Sequence, residues 1–301
     1  MATPAAVRTA LGPVGIWASL DRIPAPEILR FAVQVEDLGF PALWVNEASG
    51  REPFAVLGAL AGATSRLTLA LGIASIYARD AMAAHAGART IADLSGGRFV
   101  MGLGVSHRSS AGARGHPYGA PIAAMSTYLD AYEAAPWTGP DVTDPPLVLA
   151  ALGPRMLALA ASRTAGAFPF LVTEAQVRDA RRLLDEMGAA GERPVLVASL
   201  LAVLGDGPDV RASARAAISR YVGQPNYRNN LLRAGIDPAD VDNLTDPVVD
   251  ALVATGDADE LRERVDAMQR AGADHVAVIP LSPAGRPADL ETARAVAPLH
   301  G

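Results

Sequence analysis

The sequence predicts an α/β fold, a closed (β/α)₈ TIM barrel with insertion segments, formed by a single domain of residues 1–301. Short apolar runs of β type alternate with longer amphipathic runs along the chain, which is typical of parallel α/β proteins. Eight such units follow one another without an obvious linker, and 301 residues is an ordinary length for a barrel with insertions. An open, doubly wound sheet is the alternative fold.

The predicted strands are short runs of aliphatic residues bounded by turn residues. The third is apolar almost throughout, as expected of a strand that is buried on both faces. In chain order the strands are 14–17, 42–45, 67–73, 98–103, 147–150, 167–170, 194–203 and 276–279.

The predicted helices begin and end at residues that favour helix termini. Pro26 opens the first helix and Gly39 lies just past its end, whereas Asp80 can cap the third. The helices are 26–38, 53–64, 80–94, 121–135, 154–164, 173–188, 209–222, 247–253, 260–271 and 290–297. Segments 104–120 and 136–146 are predicted as loops, and 223–246 as an insertion with mixed helix and turn.

Composition excludes several kinds of chemistry. The chain contains no cysteine, and all 26 of its cationic residues are arginine. Disulfides, thiolate nucleophiles, cysteine-ligated metals and lysine Schiff bases are therefore excluded. No set of histidines and carboxylates has metal-site spacing, so we expect no metal.

Charge and hydropathy patterns limit the partners. The net charge is −6 and no basic run occurs, so we expect no nucleic-acid partner. Residues 1–12 lack a stretch of signal-peptide type, and no apolar run reaches membrane-spanning length. We therefore expect a cytoplasmic protein without a membrane partner.

Glycines recur where strands three, four and five end, which is where barrel enzymes place their sites. Gly72 lies in strand three, Gly102 and Gly104 close strand four, and Gly153 follows strand five. We expect these glycines to open a slot in which a flat ring or a phosphate can approach the backbone. A tight barrel corner is the alternative, and the pattern lacks the third glycine of a dinucleotide-binding fingerprint.

The stretch from Ser95 to Gly104 resembles the S-x-G-R-x-x-x-G-L-G signature of the luciferase-like family of flavin- and deazaflavin-dependent oxidoreductases. The resemblance spans essentially the whole chain, with further matches at 118–121, 128–130, 151–157, 255–257 and 272–276. It implies coenzyme F420 as cofactor, with FMN as the alternative, and the chain is most similar to actinobacterial members assigned to F420. It also implies a homodimer that acts on a small-molecule substrate.

The resemblance implies a bulge in strand three behind the cofactor ring. Relatives have a cis peptide bond that does not involve proline at this place, which corresponds here to Gly72–Ile73, followed by Ala74. The residues alone predict only a strand with one glycine, which marks a bulge or a close backbone approach.

Two turns are candidates for holding the cofactor phosphate. Leu152, Gly153 and Pro154 precede a helix, and a helix N-terminus with free amides is an anion site. The resemblance places the phosphate near this turn, although a proline-initiated helix start explains the same residues. The segment Val105-Ser106-His107 could form the other half of the cradle, with Ser110 beside it.

Candidate proton carriers follow strands two and four. The resemblance assigns Glu47 the position of a ring-facing acid next to Asn46, and the alternative is a solvated loop carboxylate. His107 occupies the place of a proton-donating acid in a sugar-phosphate dehydrogenase relative, or it only binds the cofactor or caps the loop. Trp17 either walls the ring or fills the barrel, and for Trp44 we expect filling.

The sequence therefore predicts hydride transfer between a deazaflavin and a small organic substrate, with Glu47 and His107 as catalytic candidates. The alternatives are an FMN-dependent monooxygenase of the same family and a non-catalytic cofactor-binding protein. A metal-free aldolase or isomerase is disfavoured because lysine is absent.

Overall fold

A computed structural model describes residues 3–188 and 192–298. The strands are β1 (Val14–Ala18), β2 (Ala42–Val45), β3 (Thr68–Leu71), β4 (Ala74–Ser75), β5 (Phe99–Gly104), β6 (Leu147–Leu149), β7 (Gly166–Ala167), β8 (Val195–Leu204), β9 (Val253–Gly256) and β10 (His275–Leu281).

The helices lie mainly between the strands and around them. They are α1 (Pro4–Leu11), α2 (Ala25–Asp37), α3 (Pro53–Ala63), α4 (Ala81–Leu94), α5 (Arg108–Ala113), α6 (Pro121–Glu133), α7 (Pro154–Arg163), α8 (Glu174–Met187), α9 (Pro208–Val222), α10 (Pro225–Arg233), α11 (Pro238–Asn243), α12 (Asp246–Leu252), α13 (Ala258–Arg270) and α14 (Leu290–Ala295).

The strands close into a parallel barrel. The order β10–β1–β2–β3–β5–β6–β7–β8 is completed by parallel pairing of β8 with β10, residues 197–203 against 275–281. β4 continues β3 after an interruption at residues 72–73 and also pairs with β5. Across the described residues this gives an eight-stranded (β/α)₈ barrel, which confirms the predicted fold and makes the open-sheet alternative wrong.

Side chains alternate along each strand between the barrel interior and the layer under the helices. In β2, Ala42 and Trp44 belong to the interior cluster, whereas Leu43 and Val45 pack in the barrel–helix layer. Trp44 is fully buried and packs on Phe168 with 5.0 Å between ring centroids, which confirms that it fills the barrel.

Several elements differ from the sequence prediction. Residues 4–11 form α1, capped by the Thr3 side chain, and residues 108–113 of the predicted loop form α5. The predicted continuous strand 67–73 is divided into β3 and β4. An additional strand, β9, pairs with residues 201–204 of β8 outside the closed ring. The predicted helix 247–253 ends one residue earlier because Val253 begins β9.

Among the helices of the described residues, none combines the length and the hydropathy that crossing a bilayer requires.

Candidate functional site

The barrel brings the predicted site residues to one end, because the carboxyl ends of parallel strands share one face. We call this end the mouth. Trp17 lies on β1, Asn46 and Glu47 follow β2, and Ala74 opens β4. Gly104 ends β5, and the remaining predicted residues follow β5 or β6 or lie in the 72–73 interruption: Gly72, Ile73, Val105, Ser106, His107, Ser110, Leu152, Gly153 and Pro154.

The 72–73 interruption is fixed to β1. The peptide bond between Gly72 and Ile73 is cis, as the resemblance implies. The Trp17 indole Nε1 donates a hydrogen bond to the Gly72 carbonyl oxygen at 2.7 Å. Trp17 is 5 % exposed, and its ring packs against Phe170 with 5.5 Å between centroids. Trp17 therefore fills the barrel and also supports the bulge at the mouth.

The predicted glycine slot is wrong for strands three and four. A Cβ on Gly104 would lie 2.5 Å from the Ile73 side chain, and one on Gly72 would lie 2.6 Å from Phe168. A Cβ on Gly102 would lie 1.9 Å from the Leu71 carbonyl oxygen. These glycines therefore make room for atoms of the protein itself rather than for a ligand.

Gly153 is different, because among the described residues a Cβ there would have a single neighbour within 4 Å, the Arg233 guanidinium at 3.8 Å. Gly153 is the N-cap of α7, and no side chain in the described part of the chain caps this helix. Pro154 occupies the first helical position, and Leu152 packs against the barrel–helix layer. The turn combines free backbone amides, space and a nearby cation, which is the requirement for binding an anion.

Glu47 is committed to contacts within the protein. Its side chain is 4 % exposed, and it forms an ion pair with the two terminal nitrogens of Arg79. Its Oε2 also accepts a hydrogen bond from the Ser75 amide at 2.7 Å. The alternative of a solvated loop carboxylate is therefore wrong. Glu47 ties the end of β2 to β4 and to the segment that leads into α4.

His107 follows β5 and is half-buried. Its Nδ1 lies 3.0 Å from the Asn226 side-chain oxygen, and its ring packs on Tyr227 with 5.5 Å between centroids. Burial lowers the pKa of His107 from its ordinary value, and the hydrogen bond to Asn226 opposes this only in part. The imidazole is therefore neutral near pH 7.

The segment after β5 has a defined conformation. Ser106 has a positive φ of 55°, which non-glycine residues rarely adopt, and its carbonyl oxygen accepts a hydrogen bond from the Tyr118 hydroxyl at 3.2 Å. Val105 packs against the barrel–helix layer, and Ser110 lies half-buried on α5. The turn at 105–107 is therefore held between α5 and Tyr118.

Asn46 supplies an unpaired polar atom at the mouth. Its side-chain oxygen is buried and has no hydrogen-bond partner within residues 3–188 and 192–298. Ala74, near the same end of the barrel, is 1 % exposed. Because a buried acceptor without a partner costs about 1–3 kcal/mol, Asn46 is a candidate contact for a bound ligand.

α10, which lies within the predicted insertion 223–246 and holds no predicted site residue, reaches both halves of the predicted phosphate cradle. Asn226 and Tyr227, near its start, contact His107, and Arg233, at its end, lies beside Gly153. Pro225 signals a helix start in the sequence. No sequence pattern shows that this helix lies across the ends of β5 and β6.

Aromatic rings cover the mouth next to α10. Phe170 contacts both Tyr221 and Tyr227, with ring centroids 5.0 Å and 5.9 Å apart. Burial raises the pKa of both tyrosines above the ordinary value, so their hydroxyls stay protonated at neutral pH. The three rings therefore carry no charge and give this side of the mouth a largely apolar surface, with the Arg220 charge close to Tyr221.

A cleft of about 670 Å³ lies at the opposite end of the barrel, between α1 and the turns that precede β2, β3 and β5. The Glu36 carboxylate there accepts hydrogen bonds from three backbone amides, which contribute to a lowered pKa. Arg98 donates to backbone carbonyls, including that of Leu67 at 2.6 Å. Because these two charged groups already form hydrogen bonds within the protein, they are less available to bind or react with a ligand than the groups at the mouth.

Comparisons with known proteins agree with this geometry. The sequence profile described as luciferase-like monooxygenase matches residues 6–275. The chain is 25 % identical to a 5,10-methylenetetrahydromethanopterin reductase of Methanolobus tindarius, in an alignment that covers 86 % of this chain and 92 % of the relative.

Two solved structures share the fold. The coenzyme F420-dependent tetrahydromethanopterin reductase of Methanopyrus kandleri is similar with a TM-score of 0.70 and 18 % identity, over 94 % of this chain and 96 % of the other. The oxygenating constituent of 3,6-diketocamphane monooxygenase from Pseudomonas putida, in complex with FMN, has a TM-score of 0.68 and 14 % identity, over 94 % and 97 %. With the profile match, these findings show that the chain belongs to the luciferase-like monooxygenase family.

Proposed function

We propose that the protein is an oxidoreductase that binds the deazaflavin coenzyme F420 at the mouth and transfers a hydride between it and a small organic substrate. The observation that carries this proposal is the turn at Gly153, where free amides of α7, open space and Arg233 meet. An anionic phosphate next to a flat ring is the kind of ligand that such a turn and an apolar mouth would bind.

The residues present at the mouth fit a deazaflavin or a flavin. Trp17, Ile73 and Phe170 supply apolar surface, and the unpaired Asn46 oxygen supplies an acceptor for a polar ring edge. When bound, the cofactor would supply the hydride chemistry, and the protein would position and shield it.

His107 is the proton carrier in this proposal. It is neutral at pH 7, and it lies beside the turn that the phosphate cradle would use. Glu47 has a different role, because its carboxylate is already engaged by Arg79 and the Ser75 amide. We assign it to positioning the 72–75 segment rather than to moving protons.

The substrate class follows from the covering rings. Phe170, Tyr221 and Tyr227 form an uncharged wall close to His107. We therefore propose a small and uncharged organic substrate, since a charged one would lose hydration against these rings.

An FMN-dependent monooxygenase is the second candidate, supported by the similarity to the FMN-containing structure. The same turn would bind the FMN phosphate, so a cofactor titration is the deciding experiment. We expect purified protein to quench F420 fluorescence with a saturable curve and to bind FMN more weakly. Tighter binding of FMN, with oxygen consumption when reduced FMN is supplied, would favour the monooxygenase. Binding of neither cofactor would contradict both candidates.

We also propose that the protein is a homodimer. Supporting this, α3 is apolar on nearly all sides, and Ala55, Ala59 and Gly62 are exposed on it. Leu29 and Val33 of the adjacent α2 are more than a third exposed. Sedimentation velocity should give twice the monomer mass, and Ala59→Arg should convert the particle to a monomer. A monomeric wild-type protein would contradict this proposal.

A further inference from the structure

We propose that Asn226 is a positioning residue that fixes the tautomer of His107, so that the His107 Nε2 lone pair accepts a hydrogen bond from a substrate hydroxyl. The substrate half of this inference rests on the function proposed above. The tautomer half depends only on contacts within the protein.

The tautomer follows from the partner of Nδ1. The His107 Nδ1 lies 3.0 Å from the Asn226 Oδ1, and a carbonyl oxygen can only accept a hydrogen bond. The hydrogen of this bond therefore belongs to the imidazole and sits on Nδ1. A neutral imidazole carries a single N–H, so Nε2 holds a free lone pair.

The charge state supports this assignment. Burial is the largest influence on the pKa of His107 and lowers it, while the Asn226 hydrogen bond raises it. The ring next to His107 is that of Tyr227, and burial keeps that hydroxyl protonated. No charged side chain among the described residues contributes to the shift, so the ring is uncharged near pH 7.

The free nitrogen is open to a ligand. Within residues 3–188 and 192–298, Nε2 has no hydrogen-bond partner, and it is not among the buried atoms that lack one. Nε2 is therefore accessible to solvent, next to the aromatic wall of Phe170 and Tyr227. An uncharged molecule with a hydroxyl group complements such an acceptor, whereas a ketone of the same shape does not.

Asn226 would act on the reaction through His107. When Nε2 takes the proton of a substrate hydroxyl, the O–H bond breaks and leaves its electron pair and a negative charge on the oxygen, while an N–H bond forms and the imidazole becomes a cation. The Asn226 oxygen then receives a stronger hydrogen bond from Nδ1 and stabilises that cation. The same geometry would return the proton in the reverse direction.

The test is nitrogen-15 NMR of labelled histidine side chains in cofactor-free protein, with His107→Gln to identify the His107 signals. We expect the neutral wild-type ring to carry its hydrogen on Nδ1. Asn226→Ala should move the population toward the Nε2–H form and lower the His107 pKa further, and Asn226→Asp should raise that pKa. Asn229→Ala, at an exposed position of the same helix, is the matched control and should leave the signals unchanged.

The tautomer proposal is overturned if the wild-type ring carries its hydrogen on Nε2, or if Asn226→Ala leaves the tautomer unchanged. For the ligand, cyclohexanol should shift the Nε2 resonance and cyclohexanone should not; equal effects or no effect of the alcohol would overturn the hydroxyl assignment. These readouts need no turnover, so they stand apart from failure of the F420 titration.

Discussion

Two histidines lie at opposite ends of the barrel and differ in how their ring nitrogens are used. His275, at the N-terminal end, accepts from the Trp44 indole at 3.0 Å and has the Gly12 carbonyl 2.8 Å from its other nitrogen. His107, at the mouth, uses only one nitrogen within the described residues. Both pKa values are lowered by burial, that of His275 to about 4.

This difference assigns His275 to the stability of the fold and His107 to contact with a ligand. His275 is completely buried with both nitrogens paired, so it can contribute to folding but cannot reach a ligand. At the mouth, the free His107 nitrogen and the unpaired Asn46 oxygen are polar groups that the fold leaves available. Barrel enzymes commonly divide in this way, with stability residues at the N-terminal face and the site at the other.

The largest expected effect is loss of turnover in His107→Ala. Removing a general acid–base group typically costs a factor of about 10²–10⁴ in rate. The free energy of unfolding should change by less than about 1 kcal/mol, because the ring is half-buried and makes one side-chain hydrogen bond. Initial rates with F420 and chemical denaturation measure the two quantities. If His107→Ala turns over a substrate at the wild-type rate, His107 is not a proton carrier in the reaction.

The opposite result is expected for His275→Ala, which should lower the stability of the protein. The substitution leaves a cavity and removes the partners of the Trp44 N–H and the Gly12 carbonyl, which should cost roughly 3 kcal/mol of unfolding free energy or more. Urea denaturation measures this loss, and the exposed His116→Ala is the control. A stability loss below about 1 kcal/mol would show that the hydrogen bonds of His275 at the N-terminal end of the barrel do not stabilise the fold.

Acid should weaken the protein through His275. Its pKa is about 4 in the folded chain and near 6.5 when unfolded, so the unfolded state binds the proton more readily. Its contribution is fully present above pH 6.5 and is lost as the pH falls toward 4. Between pH 7 and pH 5 the loss should be about 2 kcal/mol.

Denaturation of the wild type and of His275→Gln at both pH values measures this slope. The glutamine variant should be less stable at pH 7 and should show a smaller decrease at pH 5. Equal slopes for the two proteins would mean that another group governs the acid sensitivity.

Glu47→Gln tests whether a residue at the mouth can contribute to stability as His275 does at the N-terminal end. The variant removes the negative partner of Arg79, whose side chain is 15 % exposed, and should cost about 1–3 kcal/mol in unfolding free energy. Glu52→Gln removes the exposed second partner of Arg79 and should cost less than about 1 kcal/mol. Equal costs would show that burial of Glu47 is unimportant.

The smallest stability effect is expected for Gly153→Ala. The added Cβ has open space and φ at this position is −100°, so unfolding free energy should stay within about 0.5 kcal/mol. F420 should nevertheless bind several-fold more weakly, because the methyl group narrows the anion turn. Gly15→Ala is the contrasting variant, since its Cβ would lie 2.7 Å from the His275 ring. If Gly153→Ala binds F420 as tightly as the wild type does, the cofactor phosphate does not bind at this turn.

Local signals made most of the barrel predictable. Alternating apolar runs give the strands, and residues such as Pro53, Asp80 and Thr173 mark helix starts that the structure confirms. Two of the missed elements have weak signals: β9 is four residues long and forms by pairing with β8, and α5 lies in a stretch rich in glycine and serine. The third, α1, was missed although Thr3 and Pro4 mark its start.

The site was less predictable than the fold. The sequence places Glu47 and His107 at strand ends. It does not show that Glu47 forms an ion pair with Arg79 or that His107 forms a hydrogen bond with Asn226. It also identifies the glycines of β5 without showing that Ile73 occupies the space beside Gly104. These contacts join residues that are far apart along the chain, so no local pattern encodes them.

Hydrogen–deuterium exchange with and without F420 tests most directly whether the mouth is the ligand end. We expect protection of residues 104–107, 152–157 and 225–233, with unchanged exchange at 12–15 and 275–277. Protection confined to the cleft between α1 and the start of β3, or no protection at a saturating F420 concentration, would contradict it.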